Sequence, residues 1–115
     1  MNITTHKINT LNSGITIEPS DPNAAGVPRK YIVTLAPGLV TTIEFHEGDP
    51  SQGANGLTQE VLMAILEHRL MAWQGTAYNT REAQIAIGKL QECRLWLGER
   101  TRLRIEREVE GTPSP

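Results

Sequence analysis

The hydrophobic residues of the first half of the chain come in short runs, and those of the second half recur at steps of three and four, so the period changes near residue 57. Ile15-Thr16-Ile17, Tyr31-Ile32-Val33-Thr34-Leu35 and Val40-Thr41-Thr42-Ile43-Glu44-Phe45 are rich in β-branched and aromatic side chains and bounded by Gly or Pro. They predict three short strands. Pro37-Gly38 predicts the turn of an antiparallel hairpin between the last two, because proline presets the first central angle and glycine accepts the positive one that follows. Pro19 to Pro28, dense in residues that interrupt regular structure, and the polar stretch Glu47 to Gly56 predict loops.

Helical spacing then takes over. Thr58 is a cap residue with Gln59 and Glu60 in the turn behind it, and Val61, Leu62, Ile65, Leu66 and Leu70 follow on one side, with Gly75 placed to end the helix near residue 74. Asn79 followed three positions later by Glu82 has the form of a capping box and predicts the start of a second helix. Its stripe runs through Ala83, Ala86, Ile87, Leu90, Cys93, Leu97 and Thr101, and the absence of proline over 79–112 lets it extend for 20 residues or more. Gly88 and Gly98 inside that helix are expected to mark close helix contacts. The fold class expected is therefore α+β: a small N-terminal antiparallel β-sheet over 1–56, a C-terminal antiparallel helical hairpin over 57–110, and a flexible tail over 111–115, together one domain.

Composition changes this picture in one respect. With 115 residues, 38% hydrophobic, and only two Trp, two Tyr and one Phe, a lone subunit has a thin core. An oligomer is the expected remedy. A net charge of -2 removes the electrostatic case for a DNA or RNA polymer as partner. The distribution is uneven, because residues 1–60 hold three bases against six acids, whereas Arg94, Arg100, Arg102, Arg104 and Arg107 cluster near the C-terminus. One cysteine and three histidines without ligand spacing argue against a structural metal, and no apolar stretch approaches the length of a membrane span. A protein of a reducing cytoplasm is expected, with no cofactor.

No arrangement of residues points to catalysis. The acids of the helical half read as solvated helix charges, Cys93 as a small core residue, and Gly53-Ala54-Asn55-Gly56 lacks the lysine and hydroxyl of a phosphate loop. The arginine run suits a phosphorylated small ligand if its guanidinium forks converge, and a solvated, ion-paired helix face if they do not. Trp96 is expected in the core between the helices. Trp73 and Tyr78 flank the helix turn, where they could stack on a base or seal an oligomer interface.

The order of elements, together with Asp21 to Tyr31, Phe45-His46-Glu47-Gly48-Asp49-Pro50, Asn55-Gly56-Leu57-Thr58-Gln59-Glu60, Arg81-Glu82 and Arg100-Thr101-Arg102 through Val109-Glu110-Gly111-Thr112, resembles the phage Thoeris anti-defence family of the first-described type. The resemblance covers nearly the whole chain. The helical half, with Arg81 and Ala86-Ile87-Gly88-Lys89, is also similar to the phage anti-CBASS nucleotide sponge. What the resemblance implies is a non-enzymatic protein that binds cyclic ADP-ribose isomers made by TIR-domain enzymes and holds them uncleaved in the cytoplasm of the infected bacterial host. It further implies homo-oligomers from dimer to hexamer and, in some members, cyclic di- or trinucleotides bound at a separate site.

Carried onto this sequence, the resemblance implies Arg100 or Arg102 on phosphate, Trp73 beside the base, and Arg29, in the loop before the Tyr31 strand, reaching a nucleotide at the dimer interface; Tyr78 joins the expected ligand-binding residues by its place beside Trp73 at the helix turn. Arg81 and Lys89 are the implied cyclic oligonucleotide site. Ala83 stands where relatives are expected to have asparagine, which puts affinity or isomer preference in question. The alternative function is a protein-binding inhibitor of a host defence protein, working through the amphipathic hairpin and exposed aromatics.

Overall fold

The computed structural model describes residues 2–107, so the expected tail over 111–115 and the resemblance through Val109 to Thr112 lie outside the described residues. The described residues divide into two compact units: 2–47 with Ala54–Leu57, and Gly48–Gly53 with 58–107.

The first unit is a three-stranded antiparallel meander of β1 (Thr16–Pro22), β2 (Pro28–Ala36) and β3 (Leu39–Glu44) in the order β1-β2-β3. Ile17 pairs with Val33, which pairs with Thr41, and Pro19 pairs with Tyr31, which pairs with Ile43. Because side chains alternate along a strand, Ile17, Tyr31, Val33 and Ile43 therefore share one face. The Phe45 ring meets that of Tyr31 edge-on at 5.6 Å, a geometry in which the positive ring edge faces the negative ring centre. Gly38 adopts the positive φ of 77° that the Pro37-Gly38 turn requires.

The expected loop over Pro19 to Pro28 is shorter than its composition suggested. β1 runs through Pro19 to Pro22 and β2 starts at Pro28, leaving only residues 23–27 outside the strands. Proline is tolerated in β1 because this strand lies at the sheet edge and in β2 because it occupies the first position, so few ladder donors are lost. Asn23 makes the tight return: its side-chain oxygen accepts from the Ala25 and Val27 amides at 2.9 and 3.0 Å. Arg29 accordingly sits in β2 rather than in a preceding loop. A one-turn helix α1 (Thr10–Ser13), capped by the Asn9 side chain on the Asn12 amide, was not legible in the hydrophobic pattern.

The second unit contains α2 (Gln59–Met71) and α3 (Arg81–Glu106), with a short 3-10 turn over Pro50–Gln52. Thr58 caps α2 by accepting from the Val61 amide. α2 ends at Met71, earlier than expected, and Gly75, at a φ of 79°, lies in the turn beyond it. The cap of α3 is Thr80, not Asn79, since the Thr80 hydroxyl accepts from the Ala83 amide at 3.1 Å. Asn79 instead accepts from the Gln84 side chain at 2.6 Å.

α3 is 26 residues long, consistent with the unbroken helical pattern. Ala83 and Ile87 are buried and Leu90, Leu97 and Thr101 half-buried, but Ala86 and Cys93 are exposed. Cys93 is thus not the core residue its place on the stripe suggested. Trp96 is likewise not core, being 69% exposed. α2 is half the length of α3 and covers only one strip of it, so Cys93, at the margin of the apolar stripe, and Trp96, nine residues and about 180° around the helix from Ile87, both stay in solvent. An added Cβ at Gly88 or Gly98 would meet nothing within 4 Å, so neither glycine marks a helix contact within the chain.

The packing of α2 on α3 is fastened by a group that periodicity does not reveal. Glu67, its side chain 15% exposed, accepts from Gln91 Nε2 and from Arg94 Nε, each at 3.2 Å. A carboxylate this far out of water needs such partners, and here one cation and one neutral donor supply them.

Candidate functional site

The connection between α2 and α3 brings Trp73 and Tyr78 together. Thr76 organises it: its hydroxyl donates to the Trp73 carbonyl and accepts from the Tyr78 amide at 3.1 Å, while its own carbonyl accepts from the Asn79 amide at 3.2 Å. The two rings stand 5.9 Å apart at an interplanar angle of 39°. Trp73 is half-buried and Tyr78 is 69% exposed. One face of a supported aromatic pair is therefore open to solvent, which is the surface a planar ligand can stack on.

The arginines are sorted by their neighbours. Arg102 is committed within its own helix, giving Nε and Nη2 to the two oxygens of Glu99 at 3.0 and 2.7 Å and Nη1 to Glu106 at 3.0 Å. Arg104 is 7% exposed and has its own interactions. Arg100 is exposed and, among the described residues, makes no ion pair. Of the two arginines expected on phosphate, Arg100 is the one with an unspent fork.

Hydrogen bonds and charge from Arg102 hold the Glu99 carboxyl below the ordinary carboxylate range, and Glu99 in turn raises the Arg102 guanidinium. A group whose folded-state value is lowered adds stability above its unfolded value and loses it as pH falls through the folded one. Acidification through and below the usual carboxylate range is therefore expected to loosen the last turns of α3. Amide exchange over residues 99–106 should quicken there, and Glu99→Gln should show the quicker exchange already at neutral pH.

Arg29 is in the first unit and is occupied. Nε donates to the Phe45 carbonyl at 3.2 Å, Nη2 donates to the Asn55 carbonyl at 3.1 Å, and Glu44 lies 3.9 Å away. Asn55 is further tied to Glu47 by its side chain and to His46 Nδ1 by its amide. These bonds make Arg29 a fastener of the segment that follows β3. Arg81 begins α3 and Lys89 lies two turns further on, pairing with Glu92 at 4.0 Å. No contact joins Arg81 to Lys89.

Arg100 lies nineteen residues after Arg81 along the helix, roughly 28 Å at 1.5 Å per residue. The aromatic pair precedes Arg81, so a single copy cannot bring the rings and Arg100 onto one small ligand. Among the described residues no cluster of three or more His, Cys, Asp or Glu could hold a metal ion, and no helix is long and apolar enough to cross a membrane.

No protein-family model matches the chain. It is 40% identical over 88 residues to the protein Thoeris anti-defense 1 of Bacillus phage SBSphiJ7. That match takes in 76% of this chain and 62% of the relative, so the chain spans about three-fifths of the relative's length.

Proposed function

We propose, from its 40% identity to Thoeris anti-defense 1, that the chain is a phage anti-defence protein that sequesters TIR-derived cyclic ADP-ribose isomers without cleaving them. The observation that carries the ligand class is the open Trp73–Tyr78 pair, a stacking surface for a base. Arg100, with its uncommitted fork, is the phosphate partner. Because the stretch of α3 from Arg81 to Arg100, about 28 Å, lies between the two features in one copy, the ligand is held between two copies, Arg100 of one facing the aromatic pair of the other. Burial between subunits strengthens charge-assisted bonds by excluding water. Arg29, whose Nε and Nη2 donate to Phe45 and Asn55 in its own unit, is not placed among the contacts to the base and phosphate. Arg81 and Lys89 remain the proposed contacts for cyclic oligonucleotides.

A sponge acts by affinity and stoichiometry, with no bond broken. To hold a scarce signal its dissociation constant must be nanomolar or tighter, about 12 kcal/mol of binding free energy, and release is correspondingly slow. The protein would act where the signal is made, in the cytoplasm of the infected host.

The test is to incubate purified protein with each cyclic ADP-ribose isomer, filter it, denature it by heat and identify what is released. Intact ligand is expected, with retention weakened by Arg100→Ala and less so by Arg102→Ala. Release of a hydrolysed product with turnover would make the protein an enzyme instead. No retention of any isomer or cyclic oligonucleotide, together with a nucleotide-insensitive complex with a host protein, would favour the inhibitor reading.

A further inference from the structure

Asn55 is the one asparagine of the chain that is followed by glycine; Asn2, Asn9, Asn12, Asn23 and Asn79 all precede larger residues. A side-chain amide next to glycine is chemically labile, because without a Cβ nothing shields the glycine nitrogen from the asparagine Cγ. Gly56 leaves that nitrogen available, since its N–H donates to no group among the described residues.

The same asparagine is the clasp of a loop. Its Oδ1 accepts from the Glu47 amide at 2.9 Å and its Nδ2 donates to the Glu47 carbonyl at 2.8 Å, so the two ends of residues 47–55 are held together. Its backbone N–H donates to His46 Nδ1 at 3.2 Å, and its carbonyl accepts from Arg29 Nη2 at 3.1 Å. All four polar groups of Asn55 are thereby engaged. Every residue from Glu47 to Asn55 is exposed, so these bonds rather than burial keep the neck of the loop shut.

We propose that Asn55 is a deamidation site whose conversion is gated by this clasp and, once made, opens it. In the reaction the Gly56 nitrogen attacks Asn55 Cγ, its proton passing through water to Nδ2. The Cγ–Nδ2 bond breaks, ammonia leaves and a succinimide ring remains. Water then adds to one of the two ring carbonyls and returns either aspartate or isoaspartate. Water is the sole co-reactant. The departing Nδ2 is the donor to the Glu47 carbonyl, so the reaction cannot finish while the clasp is shut, and its rate follows the fraction of chains with the neck open.

Either product undoes the clasp. Aspartate puts a carboxylate oxygen where Nδ2 stood, leaving two acceptors facing each other with no proton between them. Isoaspartate lengthens the backbone by a carbon just before Gly56, whose seat has no slack: a Cβ there would lie 2.5 Å from the Phe45 carbonyl carbon and 2.7 Å from the His46 nitrogen. Deamidation therefore acts as a one-way timer on the neck and on the Leu57 amide bond to Glu44 that follows it. Neither step depends on nucleotide binding.

The full chain, aged at mildly alkaline pH both folded and in urea, tests this by peptide mass mapping that separates aspartate from isoaspartate. Asn55 should convert before the other asparagines, and in the folded chain about 10-fold or more slowly than in urea, the scale set by local opening. Hydrogen exchange over residues 47–57 should be faster in the deamidated fraction than in fresh protein. Asn55→Asp, made directly, should show the same quickening without aging. Another asparagine converting first in the folded chain, equal Asn55 rates folded and in urea, or unchanged exchange in both the deamidated fraction and Asn55→Asp would overturn the proposal.

Discussion

Replacing Trp73 by alanine is expected to lower retention of cyclic ADP-ribose isomers by about 10- to 100-fold, the scale of one lost base–aromatic stack. The effect should fall on binding rather than on the fold. Trp73 follows the last residue of α2, and the turn beyond it is held by backbone groups and the Thr76 hydroxyl, none of which the substitution removes. Trp73→Phe should keep most of the retention because a planar ring remains. Tyr78→Ala should cost less than Trp73→Ala, as it removes the smaller ring. Equilibrium dialysis against each isomer, with thermal melts alongside, separates the outcomes: unaltered retention by a folded Trp73→Ala protein would remove the aromatic pair from the site.

The second large effect is on stability. A Cβ at Gly56 would lie 2.5 Å from the Phe45 carbonyl carbon and 2.7 Å from the His46 nitrogen, both backbone atoms that cannot swing aside. Gly56→Ala is therefore expected to destabilise the first unit by about 3 kcal/mol, the upper range for a forced overlap. The reason for the close approach is visible next door. Leu57 donates its amide to the Glu44 carbonyl and accepts from the His46 amide, each at 2.7 Å, closing the segment after β3 on itself. Pushing Gly56 outward breaks that bridge and pulls Asn55 from Arg29. Hydrogen exchange of the β1–β3 amides should rise sharply, while α2 and α3 report little change. Gly88→Ala is the internal contrast: its Cβ meets nothing within 4 Å, so the helix should gain about 1 kcal/mol. Equal protection in Gly56→Ala and the wild type would mean the backbone can move apart freely.

The parts of the fold that could be read in advance are those specified by neighbours in the chain. The turn at Pro37-Gly38, the Thr58 cap and the length of α3 all depend on residues within a few positions, and each is found as expected. The errors lie where a local signal has two outcomes. Proline near a strand reads as a loop, but β1 is an edge strand and keeps its prolines in the sheet. Asn79 and Thr80 are both good caps, and only the backbone path selects Thr80.

The candidate site divides in the same way. Guanidinium chemistry and aromatic stacking are properties of residue types, so the sequence named Trp73, Tyr78 and the arginines without any coordinates. It could not say that Glu99 and Glu106 would spend Arg102, that Arg29 would be tied to Phe45 and Asn55, or that Arg100 would remain open. It also gave no hint that Glu67 joins the helices, nor that Trp96 would face water. Periodicity says which residues share a side of a helix, and the chain alone therefore settles the elements, their order and the chemistry available. Which side is covered depends on the length and placement of the neighbouring helix, a contact between residues far apart in sequence, so only the tertiary structure decides which of those groups is spent and which is left for a ligand or another copy.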